Sequence, residues 1–132
     1  MARPMTEALI DSHDAALFDL DGVVYLGSEV VPAAPATMSR LRARGVGVGF
    51  VTNNAARATT VVADQLTDMG IPAAPSDVVS SAEAVTDLVA AELGQGTRVL
   101  IAATSNVDDL ARQRGLVPVH SADAVSYTHL RA

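Results

Sequence analysis

Cysteine, lysine and tryptophan are all missing from the 132 residues of this chain, and only 3% of the residues are aromatic. Without cysteine, the chain can form neither a disulfide framework nor a thiolate metal site, and we expect a reducing, cytoplasmic location. Without lysine, all nine cationic side chains are arginine, so no catalytic lysine can come from these residues. The net charge of −6 disfavours a nucleic-acid partner, which is bound through basic surfaces.

Long uncharged apolar runs are also missing, so we expect no bilayer-spanning helix and no membrane partner. The first 14 residues carry Arg3, Glu7, Asp11 and Asp14. They therefore lack the apolar core of a signal peptide. Large apolar residues are nevertheless abundant, with 18 valines and 12 leucines. This composition is typical of a valine-rich sheet packed under slim helices.

Apolar segments of strand length alternate along the chain with segments of helical periodicity. The predicted strands cover residues 15–20, 46–51, 78–79, 98–102 and 117–119. The predicted helices cover residues 32–44, 58–69, 81–93 and 107–114, with a capping box over Ser80-Ser81-Ala82-Glu83 and a cap at Ser105 or Asn106. The alternation, with connections too long for hairpins, predicts an α/β fold with a parallel sheet and right-handed crossovers.

Two acidic residues, Asp19 and Asp21, mark the carboxyl end of the first predicted strand, and Gly22 follows at once. In an extended backbone, their spacing points both side chains the same way. A glycine there allows a sharp turn and a close approach of a ligand to the backbone. Taken alone, this pattern is also typical of a solvated turn. Asp19 interrupts a strand that we expect to be buried, however, where an unpaired charge is costly, and this favours a functional role.

The second predicted strand ends in Thr52, Asn53 and Asn54. Alone, these residues are typical of a helix cap. If the two strands are parallel, however, both polar clusters lie at the sheet edge where open α/β sheets bind ligands. Two carboxylates, a hydroxyl, amides and the N–H groups of a helix start suit a phosphate together with a divalent cation.

Three segments carry a family resemblance: Phe18-Asp19-Leu20-Asp21-Gly22-Val23-Val24-Tyr25, Phe50-Val51-Thr52-Asn53-Asn54 and Asp77-Val78-Val79-Ser80-Ser81-Ala82. They resemble motifs of the haloacid dehalogenase superfamily, most closely its subfamily of cytoplasmic sugar-phosphate, nucleotide and 4-nitrophenyl phosphatases. The resemblance covers residues 15–124. It implies a Rossmann-like parallel sheet, with the N-terminal part of the catalytic core over residues 1–94 and the start of an α/β cap domain over residues 95–124.

The resemblance also implies a Mg²⁺-dependent phosphomonoester hydrolase with a role for each motif residue. Asp19 would attack phosphorus and form an aspartyl-phosphate, while Asp21 would protonate the leaving oxygen and then activate water. The carboxylate of Asp19 and the main-chain carbonyl of Asp21 would bind Mg²⁺. The implied partner is a small phosphorylated metabolite, such as a sugar phosphate, a nucleotide or a compound like phosphoglycolate. The phosphate-binding residues would be Gly22, Thr52, Asn53 and Asn54.

The family's later motifs supply a lysine and acidic metal ligands beyond an inserted cap domain, and neither has a counterpart in this sequence. The later acidic pair, Asp108-Asp109, falls in the first turn of a predicted helix, where negative charge is favourable. We therefore expect an N-terminal fragment that is inactive alone. Residues 125–132 break the family pattern and resemble translated sequencing-adapter DNA, so we expect a non-native tail.

Two other functions stay open from the sequence. One is a catalytically silent α/β module that binds a phosphorylated ligand, although such a module gains nothing from a carboxylate that faces an anion. The other is phosphotransfer to an acceptor other than water, as in a mutase. The motif residues alone do not separate that reaction from hydrolysis.

Overall fold

The computed structural model describes residues 8–120, so the predicted tail at 125–132 lies outside the described residues. The strands in this range are β1 (Ala15–Asp19), β2 (Tyr25–Leu26), β3 (Glu29–Val30), β4 (Gly47–Thr52), β5 (Val78–Ser80), β6 (Arg98–Leu100) and β7 (Val117–Val119). The α-helices are α1 (Ala34–Ala43), α2 (Thr59–Asp68), α3 (Ser81–Leu93) and α4 (Ser105–Gln113). Every predicted strand and helix is present, with small shifts at the ends.

Parallel strand pairing confirms the predicted α/β class. One three-stranded sheet has the order β1-β4-β5, and β6 pairs with β7 in a second, two-stranded parallel sheet. The register of β1 on β4 places Asp19 opposite Val51. The two strands therefore end within a residue of one another along the sheet, which the sequence predicts from their polar carboxyl ends.

An antiparallel hairpin between β2 and β3 was not predicted. Tyr25 pairs with Val30, and Leu26 pairs with Glu29 across a Gly27-Ser28 turn. Gly27 has a φ of 58°, which is the left-handed conformation that a tight two-residue turn needs. The sequence contains the turn signal, but each strand is only two residues long and shows no period-two pattern.

The exposure of β1 contradicts the expectation of a buried strand. Its side chains alternate between exposed and half-buried, and Leu17 is 73% exposed. The reason is that β1 lies at one end of the strand order in its sheet. Asp19 is consequently exposed as well, so the cost of burying its charge is no longer a reason to assign it a function.

The chain forms two compact units, of which the described parts are residues 8–51 with 62–78 and residues 52–61 with 79–120. The first unit has a core of fully buried side chains that include Leu20, Phe50, Leu66 and Ile71. Removal of these apolar surfaces from water is the main force that stabilises the unit. The boundary at residue 94 between catalytic core and cap stays a prediction.

The second unit packs α4 against α3 and β7 around Val107, Leu110 and Ala111. Asp108 lies in the first turn of α4, as predicted, but Asp109 lies beyond it, because the helix begins at Ser105 and not at residue 107. One of the Asp108 carboxylate oxygens is 3.2 Å from Nε2 of His120, and the other is buried with no hydrogen-bond partner within residues 8–120. Among residues 8–120, no helix is long and apolar enough to cross a bilayer.

The two predicted helix caps have different outcomes. At α3, the Ser80 hydroxyl accepts a hydrogen bond from the Glu83 N–H at 3.2 Å, and the Glu83 carboxylate accepts one from the Ser80 N–H. The capping box is therefore confirmed. At α4, the prediction of a Ser105 or Asn106 cap is wrong. The helix begins at Ser105, so Thr104 occupies the cap position, where it makes no side-chain hydrogen bond, and the Asn106 side chain donates to the Ala55 carbonyl.

Candidate active site

The first polar cluster lies in a tight turn at the end of β1, residues 20–25, which we call the β1 turn. The N–H groups of Val23, Val24 and Tyr25 all donate to the carbonyl of Leu20, at 3.2, 2.9 and 3.2 Å. The Gly22 N–H donates in turn to the Tyr25 carbonyl at 2.8 Å. Leu20 and Val24 are fully buried and anchor the turn to the core of the first unit.

The β1 turn places oxygen atoms where a cation can reach them. The side chains of Asp19 and Asp21 are both exposed. Within residues 8–120, no backbone N–H donates to the Asp21 carbonyl, because the N–H groups that follow converge on Leu20 instead. An exposed carboxylate next to a carbonyl that accepts no backbone N–H is a combination of oxygen atoms that Mg²⁺ prefers. The residues of the turn therefore fit the metal that the motif implies.

Gly22 gives the β1 turn its shape. Its φ is 84°, and a Cβ added there would meet nothing within 4 Å. Conformation rather than space therefore selects glycine at this position.

We expect Gly22→Ala to lower the free energy of unfolding by roughly 1 to 2 kcal/mol, the cost of left-handed backbone for a residue with a Cβ. Gly22→Asn is expected to lose less, because asparagine enters this region more readily. Urea denaturation measures both values. Equal stability of wild type and Gly22→Ala would contradict the conformational explanation.

The second polar cluster follows β4, in residues 52–56, which we call the β4 loop. Thr52 is 6% exposed, and its hydroxyl oxygen accepts a hydrogen bond from the Asn54 N–H at 3.1 Å. A hydroxyl has one donor as well as two acceptor lone pairs, so its proton remains available for an anionic oxygen. Asn53 and Asn54 are exposed, and the Asn54 side-chain oxygen accepts from the Ala56 N–H at 3.0 Å.

The structure thus places the six predicted site residues in two groups, one in each compact unit. Asp19 is the last residue of β1, and Asp21 and Gly22 follow it in the β1 turn. The other three residues, Thr52, Asn53 and Asn54, share the β4 loop. Asp19 is opposite Val51 in the β1–β4 register, and Thr52 is the next residue along the chain. Each group follows the end of a parallel strand, which is where the sequence predicts a binding edge.

Several residues that hold the β4 loop were not predicted as part of the site. The Ser81 hydroxyl donates to the Asn53 carbonyl at 3.1 Å, and the Asn106 amide donates to the Ala55 carbonyl at 2.9 Å.

A further bond lies outside the β4 loop, where the Thr59 hydroxyl donates to the Glu83 carboxylate at 3.1 Å. Glu83 was predicted only as a capping residue, and nothing in its local sequence indicates its second bond.

Further acidic metal ligands are not assembled in the part of the chain that the structure describes. Among residues 8–120, no three histidine or acidic side chains form a group that could hold a metal ion. Asp108 contacts His120, and Asp109 is exposed and pairs with Arg112 of the same helix at 3.2 Å. These two residues therefore act within the second unit.

Comparison with known proteins gives the same family as the motifs. The family model described as haloacid dehalogenase-like hydrolase matches residues 16–117. D-glycerol 3-phosphate phosphatase from Mycobacterium tuberculosis is 38% identical over 113 residues, which cover 86% of this chain and 31% of that protein. Acid sugar phosphatase from Staphylococcus aureus is 32% identical over 105 residues, covering 80% of this chain and 40% of that protein.

A solved structure of similar fold is the crystal structure of glycerol phosphate phosphatase from Mycobacterium tuberculosis in complex with magnesium. Its TM-score is 0.76 at 38% sequence identity, and the match covers 85% of this chain and 33% of that one. The chain spans about a third of the length of these phosphatases. Because the family model matches most of its residues, this chain belongs to the haloacid dehalogenase-like hydrolases.

Proposed function

We propose that this chain is part of a Mg²⁺-dependent phosphomonoester hydrolase in which Asp19 is the nucleophile. The observation that carries the proposal is the β1 turn, which leaves the carboxylates of Asp19 and Asp21 exposed at the end of a parallel strand. A carboxylate has no use in a site that only binds phosphate, because like charges repel. A carboxylate at the end of β1 is useful, by contrast, when it attacks phosphorus.

Two carboxylates allow the reaction to be divided into two displacements. In the first, an oxygen of Asp19 bonds to phosphorus as the ester oxygen leaves, and Asp21 gives that oxygen a proton. In the second, Asp21 removes a proton from water, which attacks phosphorus and releases Asp19 and inorganic phosphate. The acid of the first step is thereby the base of the second.

The β4 loop supplies donors for the transferring phosphoryl group. The Thr52 hydroxyl and the backbone N–H of Asn53 would bind its oxygens, with Asn54 and Gly22 completing the set. Hydrogen-bond donors fixed in advance stabilise the charge of a transition state better than mobile water does. The buried position of Thr52 supports this role, since its hydroxyl is already held by the Asn54 N–H.

Asp19 and the Asp21 carbonyl would hold Mg²⁺, whose chemistry is to neutralise the repulsion between carboxylate and phosphate. We further propose that a lysine and additional carboxylates come from the rest of the whole protein, because this chain has no lysine. The chain alone is then expected to be inactive.

The names of the relatives support a small polyol or sugar phosphate as the substrate of the whole protein. The lack of cysteine supports a cytoplasmic location.

Removal of divalent metal tests the proposal in the whole protein. We expect a chelator to reduce hydrolysis of 4-nitrophenyl phosphate by at least about 10²-fold, because charge neutralisation contributes several kcal/mol at the transition state. Added Mg²⁺ should restore the rate. Release of 4-nitrophenolate measures the rate with and without metal.

Three results would contradict the proposed function. Hydrolysis that is insensitive to the chelator would exclude the metal-dependent reaction. Tight binding of inorganic phosphate without any turnover would favour the silent binding module instead. Transfer of the phosphoryl group to an added alcohol in preference to water would favour a phosphotransferase.

A further inference from the structure

Two peptide groups of the β4 loop are each held at both ends. In the peptide that joins Asn53 to Asn54, the N–H donates to the Thr52 hydroxyl at 3.1 Å, and the carbonyl accepts from the Ser81 hydroxyl at 3.1 Å. A peptide group is planar, so two bonds on opposite sides fix its rotation about the chain. This peptide is therefore clamped.

The peptide that joins Ala55 to Ala56 shows the same arrangement. Its N–H donates to the Asn54 side chain at 3.0 Å, and its carbonyl accepts from the Asn106 amide at 2.9 Å. In both cases the acceptor for the N–H lies inside the loop. In both cases the donor to the carbonyl comes from the start of a distant helix, 28 residues away for Ser81 and 51 residues away for Asn106.

The two distant donors do not cap their own helices. Ser81 is the first residue of α3, but the N-terminal hydrogen bond there is made by Ser80. Asn106 is the second residue of α4, whose cap position makes no side-chain hydrogen bond. A side chain satisfies a helix's first N–H groups from the N-cap position, which Ser80 and Thr104 occupy here. The Ser81 and Asn106 side chains bond to the β4 loop instead.

We propose that Ser81 and Asn106 are positioning residues that orient the β4 loop for binding a phosphoryl group. This inference rests on the proposed function, in which the Thr52 hydroxyl and the Asn53 N–H bind phosphate. The first clamped peptide uses the Thr52 oxygen as acceptor and follows directly after Asn53. The Asn54 N–H occupies one lone pair of the Thr52 oxygen, which leaves the hydroxyl proton for a ligand, and the fixed peptide restricts the rotation of the Asn53 N–H in the peptide before it.

The substitution Asn106→Asp tests this role without removing shape. It replaces the amide donor by a carboxylate oxygen, which repels the Ala55 carbonyl, while a negative charge in the first turn of α4 is favourable to the helix. We expect the thermal midpoint to change by only a few degrees, because the charge at the helix start offsets part of the lost hydrogen bond, and the affinity for orthovanadate, a phosphate analogue, to fall by about three- to tenfold. Ser105→Asp is the matched control, because it adds the same charge to the same helix start at an exposed position.

Ser81 is tested in parallel. Ser81→Ala is expected to weaken orthovanadate binding by about three- to tenfold, and Ser81→Thr, which keeps the hydroxyl, should restore it. Ser39→Ala, at an exposed serine of α1, serves as the control. Competitive inhibition of 4-nitrophenyl phosphate hydrolysis by the whole protein gives the affinities.

Amide hydrogen exchange of the peptide that covers Thr52–Ala56 provides a readout that needs no turnover. Exchange at Asn54 and Ala56 should be faster in Asn106→Asp and Ser81→Ala, and unchanged in Ser105→Asp and Ser39→Ala. Unchanged exchange and unchanged orthovanadate affinity in both test variants would overturn the inference, as would equal losses in the controls. If the wild-type protein shows neither hydrolysis nor orthovanadate binding, the proposed function falls, and exchange still decides whether the clamps exist.

Discussion

Asp19→Asn is expected to abolish hydrolysis of phosphomonoesters by the whole protein. An amide oxygen is a poor nucleophile, and no aspartyl-phosphate can form through it. Because covalent catalysis divides a difficult step into two easier ones, its loss leaves no alternative route of comparable rate. Turnover of 4-nitrophenyl phosphate with saturating Mg²⁺ measures the effect.

Asp64→Asn is the matched control, because Asp64 is an exposed aspartate of α2. It should have wild-type activity, which separates loss of the nucleophile from loss of one surface charge. The fold of Asp19→Asn should be intact, since the side chain of Asp19 is exposed and contributes nothing to the core. A folded Asp19→Asn protein that retains steady turnover would exclude Asp19 as the nucleophile.

Asp21→Asn is expected to lower turnover by about 10²- to 10⁴-fold, the usual contribution of positioned proton transfer. The substitution should not slow the two displacements equally when the substrate is 4-nitrophenyl phosphate. Departure of 4-nitrophenolate needs little protonation, whereas the attack of water still needs a base. The variant should therefore accumulate phosphorylated Asp19, which mass spectrometry of the acid-quenched protein detects as an added phosphate.

The site of the adduct makes the assignment of Asp21 falsifiable. Phosphate on a residue other than Asp19, or wild-type activity in Asp21→Asn, would show that the two roles are assigned wrongly. An alkyl phosphate gives a second comparison, because its leaving oxygen needs the proton that Asp21 provides. With that substrate the first displacement should be slow as well, and little adduct should accumulate.

Features that depend on a short stretch of chain could be predicted from the sequence. The ends of β1 and β4 follow from an apolar run that stops at a polar cluster, and the capping box of α3 follows from Ser80 and Glu83. The choice of glycine at position 22 follows from the turn it must make. In each case the residues that determine the structure are neighbours in the sequence.

Features that depend on distant partners could not be predicted. The sequence predicts Ser105 or Asn106 as the cap of α4, and only the fold shows that the helix begins at Ser105 and that the Asn106 amide donates to the Ala55 carbonyl. Likewise, the apolar residues of β1 indicate a strand, but its exposure depends on which strands lie beside it. At such positions the local sequence favours one partner or degree of burial, but contacts with residues distant in the sequence determine which one the folded chain has.

The two distant clamps of the β4 loop have a consequence for the order in which the protein is made. A nascent chain emerges from its N-terminus onward, so residues 52–56 leave the ribosome well before Asn106 does. Until then the second clamp has no donor, because the bond that it forms spans 51 positions. Contacts of such separation also form slowly, since the intervening chain must be closed first. The second clamp of the β4 loop can therefore form only after residue 106 has been synthesised.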